Sequence, residues 1–285
     1  MSVSAIILAS MLPVFDFATN SIAERIAGAD PAVSLMRFAD YPPSKGVLGF
    51  PRCLWEKPFP ANEKFWLKGV DFSCVSPWND SSGALRAGTL ISKRHVIFAK
   101  HYSLWKGVRI LFVGQDGEVC PCRIAATKAL EKTDITIGLL DYEVTPNIRP
   151  AKVLPANFAD YIGEGKGLPV VTFNQREQAY LSQLNGITTN VNLSAVTNVS
   201  STNRNWKALA GRIGPGDSGN PAFLLIGNEA IFLYCLSSGG VGNGALEFYH
   251  RDEIQKAMDE LCPGYKLEVF DFEQVKSIDR RSSKF

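Results

Sequence analysis

From about residue 65 onward, apolar and polar positions alternate in short runs separated by turn residues. The pattern predicts a first set of strands over Val70–Val75, Gly88–Ile91, His95–Ala99, Val108–Val113, Cys122–Thr127 and Ile135–Leu140. After a linker over 151–167 it predicts a second set over Pro169–Phe173, Gln178–Leu184, Ile187–Leu193, Pro221–Ile226, Ala230–Ser237 and Ala245–Tyr249. The spacing then becomes helical. Ile254, Ala257, Met258 and Leu261 share one face of a helix over Arg251–Leu261, which Cys262-Pro263-Gly264 ends. Leu267–Phe272 adds a last short strand. Many short strands punctuated by turns describe an all-β chain, arranged as two six-stranded antiparallel β-barrels over about 65–150 and 168–250, closed by a C-terminal helix.

The first 64 residues read as an N-terminal extension. Ala5–Val14 is apolar but too short to cross a membrane. Its length suits the apolar part of a signal peptide, yet Met1–Ser4 carry no positive side chain, so secretion and a cytoplasmic location both stay open. Ser21-Ile22-Ala23-Glu24 is a capping-box pattern that predicts a short helix ending near Gly28. Pro42, Pro43, Pro51, Pro58 and Pro60 mark an extended connector, read as a surface wrap in preference to a pro-segment. The final 276–285 is polar and reads as a tail.

Composition narrows the function only by exclusion. A net charge of +2, with no basic stripe and no phosphate loop, argues against nucleic acid as a partner. Cys120-Pro121-Cys122 is too tight for usual zinc spacing, and nothing in the chain asks for a cofactor. No stretch predicts stable membrane insertion, and oligomeric state leaves no mark. The six cysteines, Cys53, Cys74, Cys120, Cys122, Cys235 and Cys262, allow up to three disulfides or a free-thiol protein. Asn79-Asp80-Ser81, Asn192-Leu193-Ser194 and Asn198-Val199-Ser200 match the glycosylation pattern.

The richest segment is Gly216-Asp217-Ser218-Gly219-Asn220-Pro221. Glycines around a serine suit a tight nucleophile loop, but a hydroxyl is a poor nucleophile until a base takes its proton. Of the three histidines, His101 follows the predicted strand His95–Ala99 at its exit, whereas His95 and His250 read as structural. Asp134 stands at the mouth of Ile135–Leu140, where a carboxylate can hold an imidazole in one tautomer.

These three segments resemble the trypsin/chymotrypsin-like serine peptidases. Phe98-Ala99-Lys100-His101-Tyr102 is similar to the family's histidine box, Asp134-Ile135 to its aspartate box, and Gly216–Pro221 to its serine box, with Asn220 where a glycine is usual. The order also matches, over roughly Gly69 to Leu261. The resemblance implies a chymotrypsin-like peptidase domain over 65–285, a protein or peptide substrate, and a triad of His101, Asp134 and Ser218. Gly216 and Ser218 would supply the oxyanion hole. Arg212, six residues before Ser218, would select an acidic substrate side chain, and Ser237, Ser238 and Gly239 would line the substrate. The family's usual disulfide positions are not kept, since Tyr102 follows His101 directly. In many relatives the equivalent of Asp217 pairs with a new N-terminal amine, but no matching start precedes Gly88, so Asp217 is expected to pair with a side chain. A serine esterase and a non-catalytic module on the same fold are the competing readings.

Overall fold

The computed structural model describes residues 20, 22–39, 59–76, 78–80, 86–163, 165–184, 186, 194–197, 204–211, 214–237, 243–244 and 250–274. The chain is mainly β. An N-terminal sheet contains β1 (Val75–Ser76), β2 (Trp78–Asn79), β3 (Gly88–Leu90), β4 (His95–Ala99), β5 (Arg109–Val113), β6 (Val119–Ala129) and β7 (Ile135–Leu140). A C-terminal sheet contains β8 (Lys152–Val153), β9 (Pro169–Phe173), β10 (Ala179–Leu184), β11 (Ser194–Thr197), β12 (Pro221–Ile226), β13 (Glu229–Cys235), β14 (Asn243–Gly244) and β15 (Glu268–Val269).

The N-terminal sheet runs β1-β3-β4-β7-β6-β5-β2, and every neighbouring pair is antiparallel. β1 and β2 flank position 77 and pair with opposite edges of the sheet, while the Ser76 hydroxyl donates to the Leu111 carbonyl on β5. Counted as one interrupted strand, β1 and β2 make six strands that curl into a nearly closed barrel. The C-terminal sheet runs β14-β11-β10-β9-β12-β13-β8-β15. β9–β14 repeat the cyclic order of the first six strands, so both halves share one connectivity. Among the described residues no pairing joins β14 to β13, so this sheet is open rather than a closed barrel. It is also mixed rather than purely antiparallel, because β8 runs parallel to both β13 and β15.

β4 shows why the first half closes tightly. All five of its residues are buried. A Cβ on Gly138 of β7 would lie 2.7 Å from the Phe98 ring, and one on Gly88 of β3 would lie 2.8 Å from Val96 Cγ2. Bare backbone on both neighbours thus makes room for the large side chains of β4. Between the halves, Phe72 meets Phe173 and Phe223 at centroid distances of 5.0 and 5.5 Å, and Trp66 Nε1 donates to the Ala179 carbonyl at 2.8 Å. One apolar core therefore runs through both sheets.

Several local expectations change. Residues 70–74 turn instead of forming a strand, because the Asp71 carboxylate accepts the Ser73 N–H at 2.9 Å and the Val75 N–H reaches back to the Phe72 carbonyl. β6 is longer than expected and takes in Cys120 and Cys122. The expected strands over 187–193 and 245–249 lie outside the described residues, as does the apolar stretch 5–14. The expected last strand shrinks to β15. Among the described residues no helix is long and apolar enough to cross a membrane.

The N-terminal extension packs into the molecule. Residues 22–26 are helical, with Ile22 and Ile26 buried, and Asp30 caps the short helix Pro31–Ser34 through the Ala32 N–H. The C-terminal helix Arg251–Leu261 buries Ile254, Ala257 and Met258 and, although it follows the second half, lies against the first. Salt bridge Lys128–Glu260 at 2.8 Å and an edge contact of Tyr265 on His95 at 5.4 Å pin its surroundings.

His95 is fully buried beside Ser92, at 2.8 Å between Oγ and Nδ1, and burial lowers its imidazole to about 4 from an ordinary 6.5. The sign follows from linkage: a group charged more readily in the unfolded state costs stability as pH falls. The stability advantage of wild type over His95→Gln is complete above pH 6.5 and declines toward pH 4. Urea unfolding of both proteins across that range should show it shrinking by up to about 3 kcal/mol; a constant difference would contradict the buried, neutral imidazole.

Candidate active site

Two strand ends bring His101 and Asp134 together. β4 and β7 are antiparallel with Ala99 opposite Ile135, so the residue after one and the residue before the other share an edge. The Lys100 N–H donates to the Asp134 carbonyl at 2.8 Å, and the chain then enters a 3-10 turn over Lys100–Tyr102. That turn presents both the backbone and the ring of His101 to one carboxylate. The His101 N–H donates to Asp134 Oδ1 at 2.9 Å, and Nδ1 lies 2.7 Å from Oδ2. The ring keeps 37% of its side-chain exposure and Asp134 26%, so the pair stands at the surface, not inside the core.

The second half reaches the same carboxylate. Ser237, just beyond β13, donates its hydroxyl to Asp134 Oδ2 at 2.9 Å. Its neighbour Leu236 is zipped to the serine loop: the Gly219 N–H donates to the Leu236 carbonyl, and the Leu236 N–H to the Asn220 carbonyl, both at 2.8 Å. The loop carrying Ser218 is thereby registered one residue away from the group that touches Asp134. Gly219, at φ +86, also meets the first half: a Cβ there would lie 3.2 Å from the Ala87 carbonyl oxygen and 3.7 Å from the Ala99 nitrogen.

The loop holds its own shape. Asp217 accepts the Gly214 N–H at 2.8 Å and the Gln175 N–H at 3.2 Å, and its carboxyl is raised above the usual range by burial. Among the described residues, backbone N–H groups take the place of the expected side-chain partner of Asp217. Asn220 is fully buried and donates from Nδ2 to the Asp217 carbonyl at 3.0 Å, a role that accounts for an amide where the resembled family has glycine. The Gln175 side chain donates to the Gly216 carbonyl, while the Gly216 backbone takes φ +96. Among the described residues, the N–H groups of Gly216 and Ser218 meet no acceptor, and no hydrogen bond joins Ser218 to His101.

Ser237, expected along the substrate, places its hydroxyl on Asp134. Arg212, Ser238 and Gly239 lie outside the described residues. Next to His101, the Arg86 guanidinium stacks on Tyr102 at 4.5 Å and on Trp105 at 5.3 Å, an arrangement no local pattern announces. Cys74, Cys120, Cys122 and Cys262 are free thiols, and among the described residues no three metal-binding side chains gather. Asn79 is buried, with its amide donating to the Arg86 carbonyl, so its glycosylation pattern is sterically closed. No family model and no curated protein matches this sequence.

Gly219→Ala should cost about 1–3 kcal/mol, because it forces a side chain into a left-handed backbone against the Ala87 carbonyl. Chemical denaturation measures this; a cost below about 0.5 kcal/mol would mean that the loop does not press on the first half.

Proposed function

We propose that the chain is a serine endopeptidase of the trypsin/chymotrypsin-like kind, with the site between the antiparallel barrel of the first half and the open sheet of the second. The observation that carries this reading is the Asp134 carboxylate. It holds the ring and backbone of His101 on one side and the Ser237 hydroxyl on the other, beside the docked loop of Ser218. In this reading His101 takes the proton of Ser218 Oγ as the oxygen attacks a peptide carbonyl. It then returns that proton to the leaving amine, leaving an acyl-enzyme that water hydrolyses. Asp134 keeps Nδ1 protonated and stabilises the imidazolium. The Gly216 and Ser218 N–H groups face the developing oxyanion, each contributing about 3–4 kcal/mol to the transition state.

The connection around Ser218 disfavours an esterase, since the serine loop leads into β12 and not into the strand-to-helix turn that such enzymes use. A non-catalytic module on the same fold is the reading that the missing Ser218–His101 bond favours. Catalytic hydrogen bonds are often long in unliganded enzymes, and labelling separates the two. A fluorophosphonate should modify Ser218 alone, and neither Ser218→Ala nor His101→Ala should react at the wild-type rate. Asp134→Asn should lower kcat by about 10⁴ with the fold intact, by favouring the wrong tautomer. Equal labelling of wild type and Ser218→Ala would end the peptidase reading.

Specificity rests on Arg212. A cation six residues before the nucleophile would favour cleavage after Glu or Asp, because a buried guanidinium needs a charged partner. A peptide library should show that preference, and Arg212→Ala should abolish it while phosphonate labelling continues. An apolar or basic preference that ignores Arg212→Ala would refute it.

A further inference from the structure

The turn 174–178 between β9 and β10 has two working faces. One touches the serine loop: the Gln175 N–H donates to Asp217 Oδ1 at 3.2 Å, and its side-chain amide donates to the Gly216 carbonyl. The other is gripped by the N-terminal extension. Met36 bridges to Gln178, and the Ala179 N–H donates to the Leu35 carbonyl at 2.9 Å. Glu177 is fully buried and meets the Arg37 guanidinium at 3.8 Å. Arg37 is in turn fastened to the first half. Its Nη1 donates to the Phe72 carbonyl, its Nη2 to the Val113 carbonyl at 2.9 Å, and the guanidinium lies 4.4 Å over the Phe38 ring.

Between those faces the turn is stiff. Asn174 Oδ1 accepts the Arg176 N–H at 2.9 Å and the Gln178 N–H at 3.1 Å, while Asn174 Nδ2 donates to Gln178 Oε1 at 2.8 Å. Glu177 takes φ +57, a backbone region that non-glycine residues seldom occupy. Neither of its carboxylate oxygens has a hydrogen bond among the described residues. A buried ion pair with so few hydrogen bonds adds little net stability, but it does fix register. Strain and a buried carboxyl thus meet in a turn that holds the loop of Ser218.

We propose that the N-terminal extension holds the serine loop in shape through this turn, with Arg37 and Gln175 as positioning residues. The catalytic consequence rests on the peptidase reading; the mechanical link does not. On this account the extension belongs to the finished site, and the order of Gly216 and Asp217 depends on residues some 180 positions earlier in the chain.

Hydrogen exchange read by mass spectrometry tests the link without requiring activity. The N–H groups of Gly214, Asp217, Gly219 and Asn220 all donate within or beside the loop, and β4 serves as control. Two variants of the full chain are compared with wild type: Gln175→Ala, and Arg37→Met combined with Glu177→Gln, which leaves no stranded buried charge. Both should speed loop exchange about tenfold or more and leave β4 unchanged. Both should slow fluorophosphonate labelling of Ser218 by about tenfold, with kcat falling and KM for a peptide holding. If the double variant loosens β4 as well, Arg37→Lys replaces it under the same criterion, since a lysine cannot hold both the Phe72 and Val113 carbonyls. Loop exchange unmoved in both variants would overturn the proposal. Exchange that rises in Gln175→Ala but not in the Arg37 variant would overturn the part played by the extension. A wild-type protein that takes no fluorophosphonate but shows the exchange response would keep the positioning and discard the peptidase reading.

Discussion

The Asp134 carboxylate is the point at which the two halves become one site. Its oxygens accept from the His101 backbone, lie against the His101 ring and receive the Ser237 hydroxyl. Two of these contacts come from the strand ends of the first half and the third from the second. A carboxylate in that position is held by hydrogen bonds rather than by burial, and its partly exposed charge needs several donors to stay in one orientation. The rest of the arrangement serves this geometry: the register of β4 against β7, the bare backbone that admits Phe98, and the zipper from Leu236 to the serine loop.

How legible the molecule was in its sequence depended on the range of each interaction. The exit of β4 and the entry of β7 could be read because apolar runs end sharply at Ala99 and begin sharply at Ile135. The C-terminal helix was equally plain from its apolar spacing. The region 70–74 misled because its composition suits a strand while a single carboxylate, Asp71, turns the chain through a bond that no periodicity reveals. Asn79 matched a glycosylation pattern that carries no information on burial. The Ser237 hydroxyl on Asp134, the Gln175 amide on Gly216 and the Arg37–Glu177 pair join residues 41 to 140 positions apart, and nothing local in the chain encodes them.

The two sheets share a strand connectivity, yet their edges are treated differently. The first closes on itself because the strand divided at position 77 serves both edges. The second gains parallel strands from the linker and the C-terminal tail, so its β13 edge is covered by chain that belongs to neither set of six. Covered edges remove the unpaired backbone that invites association between chains.

The path of the chain ends carries a consequence for synthesis. The helix Arg251–Leu261 covers the first half, and β15 joins the second sheet through β8, so the first barrel receives its outer layer from residues made well after its own strands. The residues around Leu35 and Met36 find their partners only when β10 exists. During translation neither half can finish burying its surface alone. The contacts that complete the fold span most of the chain, which places the molecule among slow, topologically demanding folders. A ribosome-bound first half carries exposed apolar surface until the helix Arg251–Leu261 has emerged, and that interval is open to aggregation or to capture by chaperones.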